Sequence, residues 1–183
     1  MSNVLRPNLT HAGIYVRDLE KMFRFYTEVM DLVESDRGRA TSFPIDVVFL
    51  TADPTKHHQL VLATGREETG ASTVNQLSFS VSSLDELRDR YQRLKAHGVE
   101  SIRPVDHGNA WSLYFPDPEG NFVELYLDTP WYVAQPHANP LDLTLSNDEI
   151  YSRTESNCRQ DKTFVPQTEW QQRIAKALQE PTQ

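Results

Sequence analysis

The chain has 183 residues, 38% of them hydrophobic and 24% charged, which suits one compact domain or two very small ones. Eighteen Lys and Arg against 26 Asp and Glu give a net charge of -8, and without a run of four basic residues the chain is excluded as a binder of nucleic-acid backbone or of an anionic membrane surface. No apolar stretch nears the roughly 18 residues of a bilayer span, residues 1–10 carry no long apolar run of a secretory leader, and a single cysteine, Cys158, allows neither an internal disulfide nor a thiolate zinc cage, so a cytoplasmic protein is expected.

In chain order, the first predicted element is a period-2 stretch. Ala12, Ile14 and Val16 share one face, and His11, Gly13 and Tyr15 share the other. A turn at Asp18 leads into an amphipathic run with Leu19, Met22, Phe23 and Tyr26 at helical spacing. The segment 36–43 reads as loop. Strands are expected near 43–50 and 58–63, with Asp53-Pro54 as turn chemistry between them.

The same grammar then recurs. A strand opens near Val74, and Ser83 caps a helix with Glu86 at capping-box spacing. Leu84, Leu87, Tyr91 and Leu94 form the helix's apolar stripe. His97 before Gly98 reads as a helix C-terminus. Strands follow near 99–105, 111–116 and 122–127, the last two joined by Asp117-Pro118-Glu119-Gly120-Asn121. At an offset of 65, Ile14 meets Phe79, Val16 meets Val81, Leu19 meets Leu84 and Tyr26 meets Tyr91. After one inserted residue, Val33-Glu34-Ser35 faces Val99-Glu100-Ser101. Three matches in one order argue for two copies of a β-α-β-β-β unit, at about 8–65 and 74–128, within one domain over 1–128.

Beyond residue 128 the character changes. Residues 129–183 read as a proline-rich wrapping arm, not a separate domain. It closes in a helix from about Gln167 to Gln179, with Trp170, Ile174 and Leu178 on one face. Trp131, Tyr132, Tyr151 and Phe164 argue against full disorder.

Two such units, with YFPDPEGNFVELYLD closing the second, resemble the vicinal oxygen chelate superfamily of glyoxalases, bleomycin-resistance proteins and extradiol dioxygenases. The resemblance covers about residues 8–128. The segments HHQLVL and SLYFPDPEGN make the chain most similar to short proteins related to dihydroxybiphenyl-type extradiol dioxygenases. It implies an α+β fold in which paired βαβββ modules form a cup-shaped sheet around a metal, with ligands on the first strands and the last.

Strand parity turns His11 and Gln76 away from their apolar neighbours, and puts Glu124 on one face with Phe122 and Tyr126. A carboxylate on a strand of Phe, Val, Leu and Tyr is costly unless paired or metal-bound. The resemblance implies a metal held by His11, Gln76 and Glu124, with Gln59 as the first-copy counterpart of Glu124. Extradiol enzymes have a second histidine where this chain has Gln76, which puts ring-cleaving oxygenase activity in question. Fe(II) is the first choice of ion; the weaker amide donor shifts preference toward oxygen-liking ions such as Mn(II) or Mg(II), and the resemblance keeps Zn(II) open, since glyoxalase I enzymes include forms with a glutamine ligand on a first strand. His107 and Tyr114 are the implied catalytic residues, acting on substrate hydroxyls; the DHGN segment reads equally as a turn. Trp111 and Phe122 are expected as an aromatic wall, and His57 as a residue facing the cup or flanking a turn. His137, in the arm, is assigned no role.

Three functional readings follow. In the first, a metal-dependent enzyme cleaves a catechol-type diol with O2. The second is a glyoxalase- or epimerase-like metalloenzyme that uses no O2, and the third a non-catalytic small-molecule binder. The expected partners are a small-molecule substrate, O2 in the first reading, and in one option a second copy of the chain.

Overall fold

Alternation buries Ile14 and Val16 of the first strand, β1 (Ala12–Val16), and leaves Gly13 and Tyr15 open. The computed structural model describes residues 6–41, 43–69 and 72–179. Residues 1–5, on which the leader expectation partly bears, lie outside the described residues, as does the arm's end at 180–183.

Asp18 caps the first helix, α1 (Leu19–Arg24), by accepting the Lys21 N–H at 2.9 Å. The helix widens into a π-helical turn, Phe25–Val29, that buries Phe25, Tyr26 and Val29. Three strands follow: β2 (Val33–Arg39), β3 (Asp46–Thr51) and β4 (Leu60–Thr64). They form a sheet ordered β1-β4-β3-β2, with β1 parallel to β4 and the other pairs antiparallel.

The second half repeats this pattern with β5 (Leu77–Ser80), α2 (Leu84–Ala96), β6 (Arg103–Asp106), β7 (Ala110–Pro116) and β8 (Phe122–Asp128). Its first strand again lies parallel to its last, and β6, β7 and β8 run antiparallel. Ser83 accepts the Glu86 N–H at the start of α2, and Gly98, at φ 72°, ends it. The repeat in the sequence is thus a repeat in topology, and the fold is mixed α+β.

The helix-side faces of the two sheets feed one buried cluster. Phe25 reaches Phe115 with ring centres 6.5 Å apart, and Tyr26 reaches Phe79 at the same distance. The Tyr26 hydroxyl donates to buried Asp117. Arg90 and Arg93 of α2 both pair with Asp31 at 2.6 Å. The opposite faces, which carry His11 and Gly13 on one sheet and Gln76 and Ser78 on the other, turn away from this core.

Two expectations need correction. The segment from Asp36 onward is not loop at its start, because β2 runs to Arg39. That strand is a sheet edge with nearly every residue exposed and a bulge after Glu34, so no one-sided apolar pattern marks it. The arm carries more structure than a closing helix. Short strands β9 (Trp131–Tyr132) and β10 (Asn139–Pro140) precede a helix α3 (Asn147–Cys158), and β11 (Val165–Pro166) leads into α4 (Gln167–Gln179). The start of α3 is tied to α2 through Arg88. Arg88 donates to the carbonyls of Leu143 and Leu145 and to Asn147 Oδ1, and Thr154 accepts the Trp111 indole N–H. No helix among the described residues is long and apolar enough to cross a membrane.

Candidate active site

The site is built on the face of the second sheet that points away from the core. Register places Tyr114 of β7 directly opposite Glu124 of β8, and Ser78 of β5 beside Glu124 on the other flank. Residues paired this way share a face. Glu124 is only 7% exposed, and both its oxygens are fully used. Oε1 accepts from Ser112 Oγ at 2.8 Å and from the Tyr114 hydroxyl at 2.6 Å. Oε2 accepts from Gln76 Nε2 at 2.8 Å and Ser78 Oγ at 2.6 Å. Every donor is neutral, and no Lys or Arg among the described residues is hydrogen-bonded or ion-paired to it.

The chain of bonds continues outward. His107 Nε2 lies 3.0 Å from the Tyr114 hydroxyl, with the two rings edge to face. Burial first, then the bond to Glu124, pushes the Tyr114 phenol up to about 12. Burial also raises Tyr126, on the same face, helped by Asp128 and Glu124. A cleft of about 440 Å³ borders this face, lined in part by Gln59, Ser78, Ser80 and Tyr126.

His107, Tyr114, Gln76 and Glu124 therefore form one continuous network. The other expected residues do not join it. His11 bonds Thr10 and lies against the His58 ring, 4.3 Å between centres. It lines a smaller cleft with Gln59 and Ser78 without bonding the carboxylate. Gln59 accepts the Ala52 N–H through Oε1, which fastens the β3–β4 turn. His57 stands at that turn with its Nδ1 2.8 Å from His58 Nδ1 and its ring against Phe49. Burial, followed by the charges of His11 and His57, lowers the pKa of His58. Among the described residues no group of three His, Cys, Asp or Glu is placed to hold a metal.

Trp111 has to be withdrawn from the expected aromatic wall. It is fully buried and pairs with Leu127 on the core face. There it packs on Trp131 and Tyr151. Alternation decides this, since neighbours of Ser112 must face the opposite way. Phe122 does share the Glu124 face but is 55% exposed.

Two participants were missed, Ser78 and Ser112. The signal was there: each is two residues from a named site residue on its strand, on the same side.

The donor chemistry suits a cation in one respect. A buried carboxylate balanced only by neutral donors is a natural seat for positive charge. Turning the Gln76 amide over would present its oxygen in place of its N–H. His11, the third position the resemblance implies, is not bonded into this network, and the set that an ion would then meet here is Glu124 and Gln76. It fits an oxygen-preferring divalent ion better than one that needs two imidazoles.

Two β-α-β-β-β units, with an acid on the closing strand of the second, define a two-module class of small-molecule site. The chain belongs to the Glyoxalase/Bleomycin resistance protein/Dioxygenase superfamily, whose profile matches residues 8–125. Biphenyl-2,3-diol 1,2-dioxygenase 2 of Rhodococcus globerulus is 32% identical over 127 residues, covering 67% of this chain and 63% of that protein. Biphenyl-2,3-diol 1,2-dioxygenase 3 of the same organism is 33% identical over 128 residues, covering 67% and 64%. The match thus spans less than two thirds of the length of these relatives. A glyoxylase/bleomycin resistance protein/dioxygenase domain from Frankia sp. EAN1pec superposes with a TM-score of 0.58 at 26% identity, over 68% of this chain and all of that one. The fosfomycin resistance protein FosX of Listeria monocytogenes, a mutant solved with Mn(II) and 1S,2S-dihydroxypropylphosphonic acid, gives 0.54 at 23% identity, over 68% and 95%, and shares the fold.

Proposed function

We propose that the protein is a metal-dependent enzyme acting on a small substrate with two adjacent oxygens, and that a catechol-type diol cleaved with O2 is its first substrate class. The single observation that carries this reading is the line His107–Tyr114–Glu124, an imidazole and a phenol leading to a buried carboxylate. The names of the Rhodococcus globerulus relatives support the substrate class.

In this reading Glu124 and Gln76 hold the ion, with His11 as third ligand; Fe(II) is the first choice because ring cleavage with O2 calls for it, although the amide oxygen by itself suits Mn(II) better, and Zn(II) is the other option. The ion, when bound, supplies Lewis acidity to the two substrate oxygens. His107 accepts a hydroxyl proton at Nε2, a task suited to an imidazole near neutral pH. Tyr114 orients a substrate oxygen by hydrogen bonding. Phe122 covers the open side of the ring. The partners are the diol, O2 and a second copy of the chain. The second copy is included because His11 stands outside the Glu124 network and its sheet face is open.

The test is anaerobic reconstitution with Fe(II), Mn(II) or Co(II), then dihydroxybiphenyl or catechol with air. A yellow ring-fission product is expected. Its absence with all three ions removes the ring-cleavage reading. Turnover that persists without O2 supports a glyoxalase- or epimerase-like reaction instead.

One observation favours the binder reading. Gln76 gives its N–H, not its oxygen, to Glu124, and this satisfies the carboxylate without any ion. Metal-free protein whose diol affinity is unchanged by Glu124→Ala would establish that case.

A further inference from the structure

The turn that carries His107 is closed by the His107 N–H on the Ala110 carbonyl and the Gly108 N–H on Asp106 Oδ1, and it is held from outside by the C-terminal arm, which lies beyond residues 8–125 matched by the family. The Gly108 carbonyl accepts both Thr129 Oγ1 at 2.9 Å and the Trp131 indole N–H at 2.7 Å. The Thr129 N–H donates to the Asn109 carbonyl. Gly108 sits at φ 75°, and a Cβ there would meet Val133 Cγ2 at 2.6 Å, so the arm passes where only glycine leaves room. Gln135 Nε2 donates to the His107 carbonyl at 2.8 Å and to Asn109 Oδ1 at 2.9 Å. Through its Oε1 the same side chain accepts the His137 N–H. The His137 carbonyl lies against His107 Nδ1.

That last contact fixes a proton. A carbonyl can only accept, so His107 Nδ1 must be the donor. The neutral ring then has a bare Nε2 facing Tyr114. Tyr114 has one hydroxyl proton and two acceptors, Nε2 at 3.0 Å and Glu124 Oε1 at 2.6 Å. The shorter bond goes to the carboxylate, so Nε2 has only the lesser share of that proton and is the basic nitrogen that a bound hydroxyl would meet.

We propose that the arm belongs to the active site. Gln135 is a positioning residue that ties the 107–109 turn to the His137 carbonyl. It thereby sets the tautomer in which His107 offers Nε2 as base. This rests on the reading of His107 given above as the residue that accepts the substrate proton. The arm itself is anchored from outside. Ala134 N–H donates to Thr163 Oγ1, the His137 ring reaches Asp161, and β9 pairs with β11. No part of this clamp comes from the first module.

The test reads the histidine ring directly and needs no substrate. Long-range nitrogen–proton spectra of isotope-labelled protein, near pH 8 where an ordinary imidazole is neutral, distinguish the two tautomers. His107→Asn assigns the signal. Wild type is expected to show His107 protonated at Nδ1. Gln135→Ala, and Gln135→Glu, which keeps the volume but loses both donors, are expected to move it toward the Nε2-protonated form. Trp170→Ala, which removes the stack of α4 on Tyr132 without touching the Gln135 bonds, is expected to leave it unchanged.

An Nε2-protonated ring in wild type overturns the proposal, and that measurement holds even if a variant fails to fold. So does a folded Gln135 variant with the wild-type tautomer, or an equal change with Trp170→Ala. Where a diol is turned over, Gln135→Glu should lower kcat by about tenfold with KM little changed, the mark of lost proton transfer. If no diol is turned over, the function reading fails, while the spectra still decide the clamp.

Discussion

Glu124 takes four hydrogen bonds while only 7% exposed, and most of the site's physical behaviour follows from that. Tyr114 supplies one of the bonds and is itself held near 12 by burial and by the neighbouring carboxylate. An unfolded tyrosine ionises near pH 10. Between about pH 10 and 12 the folded protein therefore keeps a proton that the unfolded chain has lost, and stability falls with rising pH across that window. Denaturant unfolding at several alkaline pH values should show the fall, and Tyr114→Phe should reduce it, the remainder coming from Tyr26, Tyr126 and Cys158, which burial raises as well. At neutral pH the same variant is expected to cost about 1 kcal/mol, because Glu124 keeps three donors. A flat alkaline profile in wild type would contradict the assigned environment. Parity made Glu124 readable in the sequence, since a polar residue on an apolar strand has to face away from its neighbours, whereas Tyr114 came from the family resemblance. Ser78 and Ser112 obey the same parity and were overlooked because a serine on a strand carries no cost that demands a partner. Trp111 was misplaced because its neighbour Ser112 points to the site, which is the reason Trp111 cannot.

Among the elements, α3 shows how a helix can escape notice. Its buried stripe is Ile150, Thr154 and Cys158, four residues apart but only one of them aliphatic. The signal it did give was the capping box, in which Ser146 accepts the Glu149 N–H and Glu149 accepts the Ser146 N–H. Thr154 explains why a polar residue sits in that stripe. Its hydroxyl accepts the Trp111 N–H at 2.9 Å and donates to Asp106 Oδ2 at 2.7 Å, joining the arm to the core face of the second sheet. Thr154→Val keeps the shape and strands both partners. A loss of about 2–4 kcal/mol is expected by denaturant unfolding, since two buried polar groups lose their bonds, while Thr154→Ser should recover most of it. Equal losses for the two variants would mean that packing, not the hydroxyl, holds α3. The opposite error, β2, has its own cause. An edge strand open on both faces and lined with Glu34, Asp36, Arg37 and Arg39 guards against edge-to-edge pairing by its charge, and so shows none of the alternation that betrayed the buried strands.

For the whole molecule, the duplication was legible because both halves bury their helix-side faces and so repeat their apolar spacing. How the halves sit on one another was not, because that depends on long-range contacts such as Phe25 on Phe115. Those contacts decide where the site faces point. With both helix sides committed to a common core, the His11 face of the first sheet is left in water, where Tyr15 is 61% and Val33 64% exposed. Exposed apolar side chains on one sheet face leave room for a second chain to cover it. If a second copy covers it, His11 of one chain and Glu124 of the other complete each site, and the interface is isologous. Sedimentation should then give a dimer, and Tyr15→Glu with Val33→Glu should give a monomer with an intact fold. Mixing is the sharper measurement. His11→Ala chains and Glu124→Gln chains are each inactive alone under this arrangement. When they are unfolded and refolded together, half the dimers are mixed, and each mixed dimer has one whole site. Recovery of about a quarter of wild-type activity is expected from that two-fold geometry. No recovery would mean that each chain builds its site alone, its own His11 reaching Glu124 through the cleft that His11 shares with Ser78.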